Sequence, residues 1–270
     1  MPASAPRKRR GFLAPALWIP AGLGLGLLLL PLLALVLKAP WAQLPALLAQ
    51  PSIASSLGLS LLTGVESTLI SLVLGIPLAL VLARSAEWPA VPRRLLRALV
   101  TVPLVLPPVV GGVSLLLLLG RRGLLGQFLP FQIPFSTAAV VIAQTFVAMP
   151  FLVLAVEGAI RASDRRFEIA AATLGASRFT IFRRVTLPLV APGVAAGALL
   201  CFCRALGEFG ATITFAGSFP GVTQTLPIST YLQLQGTQPE SAYALSLVLM
   251  VVSVAVLVSL RDRWVPGATP

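Results

Sequence analysis

The 270-residue chain is 57% apolar and only 10% charged, with a formal net charge of +12 and no histidine. Its mean hydropathy is +0.95; soluble domains carry roughly 25% charged residues, so a water-solvated globule is excluded and lipid is the expected surroundings. Nucleic-acid binding is excluded as the reason for the positive charge, because the basic residues sit between long apolar runs rather than on one face.

A spanning helix needs about 20 mostly apolar residues. Six stretches meet that need: Leu17–Leu37, Leu57–Ala83, Ala98–Leu119, Thr137–Val156, Val190–Phe215 and Ala242–Leu260. The first follows Arg7, Lys8, Arg9 and Arg10. A basic start before an apolar run is also the mark of a secretory signal, but this run exceeds the ~7–15 residues of such a signal and lacks a small-residue cleavage site. It is expected to be a retained first helix. The second span contains Glu66, an intramembrane acid with no evident partner.

The third span reads "VPLVLPPVVGGV", combining Pro103, Pro107 and Pro108 with Gly111 and Gly112. It is either a kinked packing helix or a helix lining a pathway. Pro31, Pro77 and Pro150 interrupt other spans; bundles tolerate such breaks where neighbours satisfy the freed carbonyls.

Between the fourth and fifth spans lies "SDRRFEIAAATLGASRFTIFRRVTLP", residues Ser163 to Pro188. It is too charged for a lipid core. Ser163 can cap a short helix beginning at Asp164. Phe167, Ala170, Ala171 and Leu174 then recur at helical spacing as one apolar stripe. Gly175 can end that helix in a left-handed turn. Ser177 can cap a second short helix, carrying Phe179 and Phe182, that runs to Leu187 and Pro188. The expectation is a helix-turn-helix at the inner face, either docking another protein or resting on headgroups as an interfacial helix.

Cys201 and Cys203 in the fifth span lie two apart, on nearly opposite sides of a helix, and read as packing residues. Arg204 and Glu208 are four apart, hence on one face. An intramembrane charge costs roughly 2.5–3.5 kcal/mol on insertion scales and takes a partner. The pair is either a structural ion pair or part of an anion pathway, in which Thr212 and Thr214 further along the helix would offer hydroxyls. Gly207, Gly210 and Gly217 permit close helix approach.

Placing the N-terminus inside puts 16 of the 20 Lys and Arg residues on that side, against Lys38, Arg121 and Arg122 outside, with Arg204 in the membrane. This bias predicts both termini in the cytoplasm. The expected organisation is a basic N-terminus (1–16), one transmembrane domain (17–262) holding the cytoplasmic segment 161–188, and a short tail (263–270). A nucleotide-binding P-loop needs G-x-x-x-x-G-K-[ST], yet the only lysines, Lys8 and Lys38, do not follow a glycine. No metal-ligand set and no clustered catalytic acids stand out among the eight Asp and Glu residues.

The cytoplasmic segment resembles the signature of ABC importer permeases: Glu-Ala-Ala, three residues, Gly, nine residues, Ile, one residue, Leu-Pro. The matching positions are Ile169-Ala170-Ala171, Gly175, Val185 and Leu187-Pro188. Ile169 stands where the family has Glu, and Glu168 stands beside it, about 100° around the helix. The resemblance implies a coupling helix (Glu168, Ile169, Ala170, Ala171, Leu174 and Gly175, with Val185, Leu187 and Pro188 after it) that sits in a cleft of an ATPase subunit. ATP would be bound by that partner, with no cofactor in this chain.

"RALGEFGATITFAG" and "PGVTQTLP" resemble the fifth-helix region of molybdate ABC permeases. Sulfate and thiosulfate permeases share the Arg-Ala-x-Gly-Glu-Phe-Gly frame and diverge after it. Ser218 stands where an Asn is common. The likeness covers about Ser52 to Arg263. It implies an all-α, polytopic permease of about six transmembrane helices in the bacterial inner membrane. Its implied partners are a second copy in a homodimer with the pathway at the two-fold axis, two ATPase subunits and an extracytoplasmic oxyanion-binding protein, which would dock near Phe219–Glu240. Tungstate nearly matches molybdate in size and charge. The rival readings are a sulfate permease paired with a homologous subunit, a proton-coupled transporter and a polytopic membrane enzyme.

Overall fold

The computed structural model describes residues 17–236 and 239–264. The N-terminal basic cluster and residues 265–270 lie outside the described residues, as do the expectations placed on them.

Every regular element among the described residues is helical. Helix α1 (Trp18–Lys38) has no buried residue and runs beside α12 (Pro239–Trp264) at the edge of the bundle. After the single turn α2 (Leu44–Leu48), α3 (Pro51–Arg84) opens on Pro51, whose missing N–H costs nothing in a first turn.

The third predicted span is sharply bent and starts earlier than expected. It consists of α4 (Ala90–Val105) and α5 (Pro108–Leu119), whose axes meet at 113°. Pro107 and Pro108 explain the break: a residue before proline is driven out of the helical region, and Leu106 adopts φ −63°, ψ 135°. Among the described residues, five helices are therefore long and apolar enough to cross a membrane, or six if the bent pair is one span.

Helix α6 (Thr137–Ala162) is capped by Ser136, whose Oγ accepts the Ala139 N–H at 3.3 Å. It is the axle of the fold, with twelve of its residues buried, against none in α1. Beyond the short helix α7 (Arg166–Thr173), α8 (Arg178–Ile181) passes through a π turn (Phe182–Thr186) into α9 (Leu187–Leu206). Together these make one helix of 29 residues. Gly193 and Gly197 of α9 face Ala159 and Ala155 of α6, the small-residue contact that lets membrane helices approach where lipid offers no hydrophobic drive.

The fifth predicted span is corrected, because α9 stops at Leu206 and α10 (Gly210–Ala216) is a separate helix. Helix α11 (Leu226–Gln235) follows, and its first N–H is received by Ser60 Oγ of α3 at 2.6 Å.

Three apolar clusters hold these helices. One joins α3, α4, α6 and α9 through Leu82, Val100, Leu152, Val156, Cys201 and Ala205. A second joins α5, α6 and α10 through Leu115, Val140, Val147 and Phe215. The third joins α2, α3, α11 and α12 through Leu47, Ile53, Leu226 and Leu245.

Candidate coupling surface and pathway helices

At one end of the bundle the chain leaves α6 and builds the basic segment. Ser163 closes α6 rather than opening α7: its Oγ donates to the Ile160 carbonyl at 2.7 Å, and its N–H points back to the Ala159 and Ile160 carbonyls. Asp164 starts α7 instead, its Oδ1 accepting the Arg166 N–H at 2.9 Å.

Helix α7 ends as the sequence predicts. Gly175 has φ +82°, the left-handed region where a Cβ is penalised. Its N–H bonds the Ala172 carbonyl at 3.0 Å, and the Ala176 N–H bonds the Ala171 carbonyl at 3.1 Å. This paired closure satisfies carbonyls that the helix end would orphan. Ser177 then caps α8, its Oγ accepting the Thr180 N–H at 3.2 Å. The second short helix expected here is corrected, since α8 continues into α9 through the π turn. The segment is one short helix slung between two spanning helices.

That helix turns its apolar residues outward. Phe167, Ile169, Leu174 and Phe179 are exposed, Leu174 at 88%. Ala170 and Pro188 are exposed, whereas Ala171, Val185 and Leu187 are half-buried. Glu168 points the other way. Its Oε1 accepts the hydroxyl of buried Thr186 at 2.6 Å, and its Oε2 lies 3.7 Å from Arg84 of α3. The register departure is thus resolved in space: Ile169 occupies the outward position and Glu168 faces the body of the protein.

Sequence reasoning missed the charge cluster beneath this segment. Glu157 of α6 is buried and meets both Arg97 of α4 and Arg161, the latter at 2.8 Å. Glu157 and Arg161 are four apart, so half of this was visible as a helical pair; Arg97 reaches it only through the tertiary fold. Arg165 also pairs with Glu87 at 3.1 Å.

Higher in the bundle, Arg204 Nη1 lies 2.6 Å from Glu208 Oε2, while Glu208 Oε1 accepts the Ala211 N–H at 2.8 Å. Glu208 sits in the break Gly207–Phe209 and receives the first turn of α10. The break follows from this chemistry, since its flanking glycines are poor helix formers and the carboxylate binds an N–H that helix start would leave free. Thr212 and Thr214 consequently belong to α10. Thr212 is buried, and the Thr214 hydroxyl donates to the Gly210 carbonyl at 2.8 Å. Helix α10 lies tightly on α5: a Cβ at Gly112 would come within 2.7 Å of Thr214 Cβ, and one at Gly210 within 2.8 Å of Pro108 Cβ. The two broken helices thus pack on each other at their breaks.

Glu66 is half-exposed, near the middle of α3, and has no ion pair or hydrogen bond among the described residues. Cys201 is buried and Cys203 half-buried, both as free thiols. No cluster of three or more metal-ligating side chains occurs among the described residues.

The family model described as "Binding-protein-dependent transport system inner membrane component" matches residues 75–266. The chain is 49% identical over 249 residues to the molybdenum transport system permease protein ModB of Mycobacterium tuberculosis, covering 91% of this chain and 93% of that one. It is 33% identical over 241 residues to the sulfate transport system permease protein CysT of Salmonella typhimurium, covering 87% and 86%. Among solved structures it resembles a bacterial alginate ABC transporter in complex with an alginate-pentasaccharide-bound periplasmic protein. The TM-score is 0.69 at 17% identity, over 93% of both chains.

Proposed function

The chain belongs to the inner membrane components of binding-protein-dependent transport systems, and from that premise we propose that it imports a tetrahedral oxyanion, molybdate or tungstate, as the permease subunit of an ATP-driven transporter. A permease subunit of this kind is a multi-pass membrane protein and not itself an enzyme. The observation that carries the substrate is the 49% identity to a molybdenum permease along nearly the whole chain, against 33% to a sulfate permease. The "ATITFAG" stretch after the shared frame agrees with it.

The outward apolar residues of α7 and α8 are the docking face for the ATPase, with Phe167, Ile169, Ala170, Leu174 and Phe179 as contacts. Gly175 sets the turn that presents them, half-buried Ala171, Val185 and Leu187 lie where the segment meets the bundle, and exposed Pro188 adds to the contact face. ATP binds the partner, since this sequence has no P-loop. The assembly is a homodimer with two ATPase subunits and an extracytoplasmic binding protein, and both termini face the cytoplasm. The basic N-terminus (1–16), the membrane domain (17–262) and the tail (263–270) keep that arrangement.

Arg204 and Glu208 read best as a structural clamp, because both carboxylate oxygens of Glu208 are engaged within the chain. The testing experiment is uptake of labelled molybdate into vesicles holding the full transporter, with tungstate and sulfate as competitors. Tungstate should compete and sulfate should not. Equal competition by sulfate would move the assignment to the sulfate permeases.

A further inference from the structure

Glu168 is the point where three helices meet. It belongs to α7, its Oε1 holds Thr186 at the end of the π turn, and its Oε2 faces Arg84 at the end of α3. Thr186 is buried and its hydroxyl has a partner on a different element, while the neighbouring docking side chains are exposed. Around this node lies a cavity of about 350 Å³ lined by Arg84, Glu87, Arg161, Arg165 and Glu168. The docking helix is therefore not packed down by apolar burial: none of its residues is buried. Phe167 shares a shallow cleft with Val185, Pro188 and Leu189, but the directional contacts that tie the helix to the bundle, apart from its chain ends, are these polar ones.

We infer that Glu168 and Thr186 form a latch that makes the α7 docking helix move as one body with the start of the α8–α9 helix, with Arg84 adding a weaker tie to α3. The inference rests on the coupling reading above. A helix of eight residues held only by its ends can rock in a partner's cleft without moving anything else. A carboxylate accepting a hydroxyl at 2.6 Å from a buried side chain makes a short, directional link. The π turn is where that link enters the long helix. Such turns carry an extra residue relative to α-helical winding and recur at functional sites, and this one lets Thr186 face α7. Displacement of α7 is then passed to α9, whose far end carries the Arg204–Glu208 clamp and the break before α10. The Arg84 contact is longer and mostly exposed on the arginine side (58%), so it contributes little alone.

The latch makes Glu168 and Thr186 positioning residues, and their loss should uncouple rather than detach. The test uses the complete transporter, reconstituted with its ATPase subunits and binding protein, with molybdate as the transported anion. In Thr186→Val the hydroxyl is lost at nearly constant volume. Molybdate imported per ATP hydrolysed should fall about tenfold, within the range of known coupling mutations, while the ATPase subunit still co-purifies. Thr186→Ser keeps the hydroxyl and should restore the ratio to within about twofold of wild type. Glu168→Gln keeps an acceptor oxygen and should behave like Thr186→Ser, whereas Glu168→Leu should behave like Thr186→Val. A normal import ratio in Thr186→Val overturns the latch. So does a serine variant as uncoupled as the valine one, or loss of the ATPase subunit from Thr186→Val. Leu174→Asp separates the two layers: it should release the ATPase subunit, and retention there overturns the docking reading whatever Thr186 does.

Discussion

Arg204 and Glu208 form an ion pair at 2.6 Å that ends one helix and begins the next. Glu208 is 1% exposed and Arg204 28% exposed, so the carboxylate is the dependent partner. Removing the arginine strands a buried charge, typically at about 3–5 kcal/mol. Arg204→Ala and Glu208→Ala should both lower the yield of folded protein. The double variant should regain part of it, though not all, because the Ala211 N–H loses its acceptor in any variant without Glu208. Two well-folded single variants with only Arg204→Ala impaired in molybdate uptake would falsify the clamp and put Arg204 in the pathway.

Gly175 gives a second, local test. Its φ of +82° costs a side-chain-bearing residue on the order of 1–2 kcal/mol, although the space around it is open. Gly175→Val should insert normally and weaken ATPase attachment, because strain and not a clash re-aims Leu174 and the start of α8. Unchanged co-purification and unchanged uptake would show that the turn does not position the docking face.

The legible parts of this molecule are those encoded by local rules. The apolar runs gave the spans, the Gly175 turn and the Ser177 cap were readable from residue type, and the spacing of Arg204 and Glu208 placed them on one helical face. Breaks within apolar runs were harder. Hydropathy is blind to Leu106 being forced extended by Pro107, and to Glu208 acting as the acceptor for α10, because apolar residues continue on both sides. Ser163 is ambiguous in sequence, because a serine between two helices can serve either end, and here it closes the first. Least legible was the partner of Glu157, since Arg97 lies 60 residues away in sequence and only the packing of α4 on α6 joins them.

That cluster predicts unequal, non-additive losses. Glu157 is 4% exposed, while Arg97 and Arg161 are 42% and 46% exposed. Either arginine alone is partly solvated and shares its acid with the other, so Arg97→Ala or Arg161→Ala should cost only about 1 kcal/mol. Removing both leaves Glu157 buried and unpaired, at about 3–5 kcal/mol. Thermal melting in detergent of the two single variants and the double should show this jump. A double variant equal to the sum of the singles would mean that Glu157 finds another partner.

Orientation can be tested at the same end of the molecule. Arg84 pairs with Glu168, Arg97 and Arg161 with Glu157, and Arg165 with Glu87, and the charge bias predicts that these arginines face the inside. Reporter fusions after Lys38 and Ser218 should read outside and a fusion after Arg97 inside. An outside signal at Arg97 would invert the topology and remove α7 from reach of any cytoplasmic ATPase.

Gln144 is fully buried in α6, yet neither its amide nitrogen nor its oxygen has a hydrogen-bond partner among the described residues. Thr212 Oγ1 of α10 is in the same condition. Each buried polar group left unpaired costs about 1–3 kcal/mol, and replacing it with an apolar group of similar shape removes that cost. Gln144→Met should therefore melt at the same temperature as wild type or higher. A stable variant that has lost uptake would mean that the amide is paired in another conformation of the transport cycle, so that its cost here favours leaving this one. A variant that melts lower would show instead that the amide is already bonded in the folded protein.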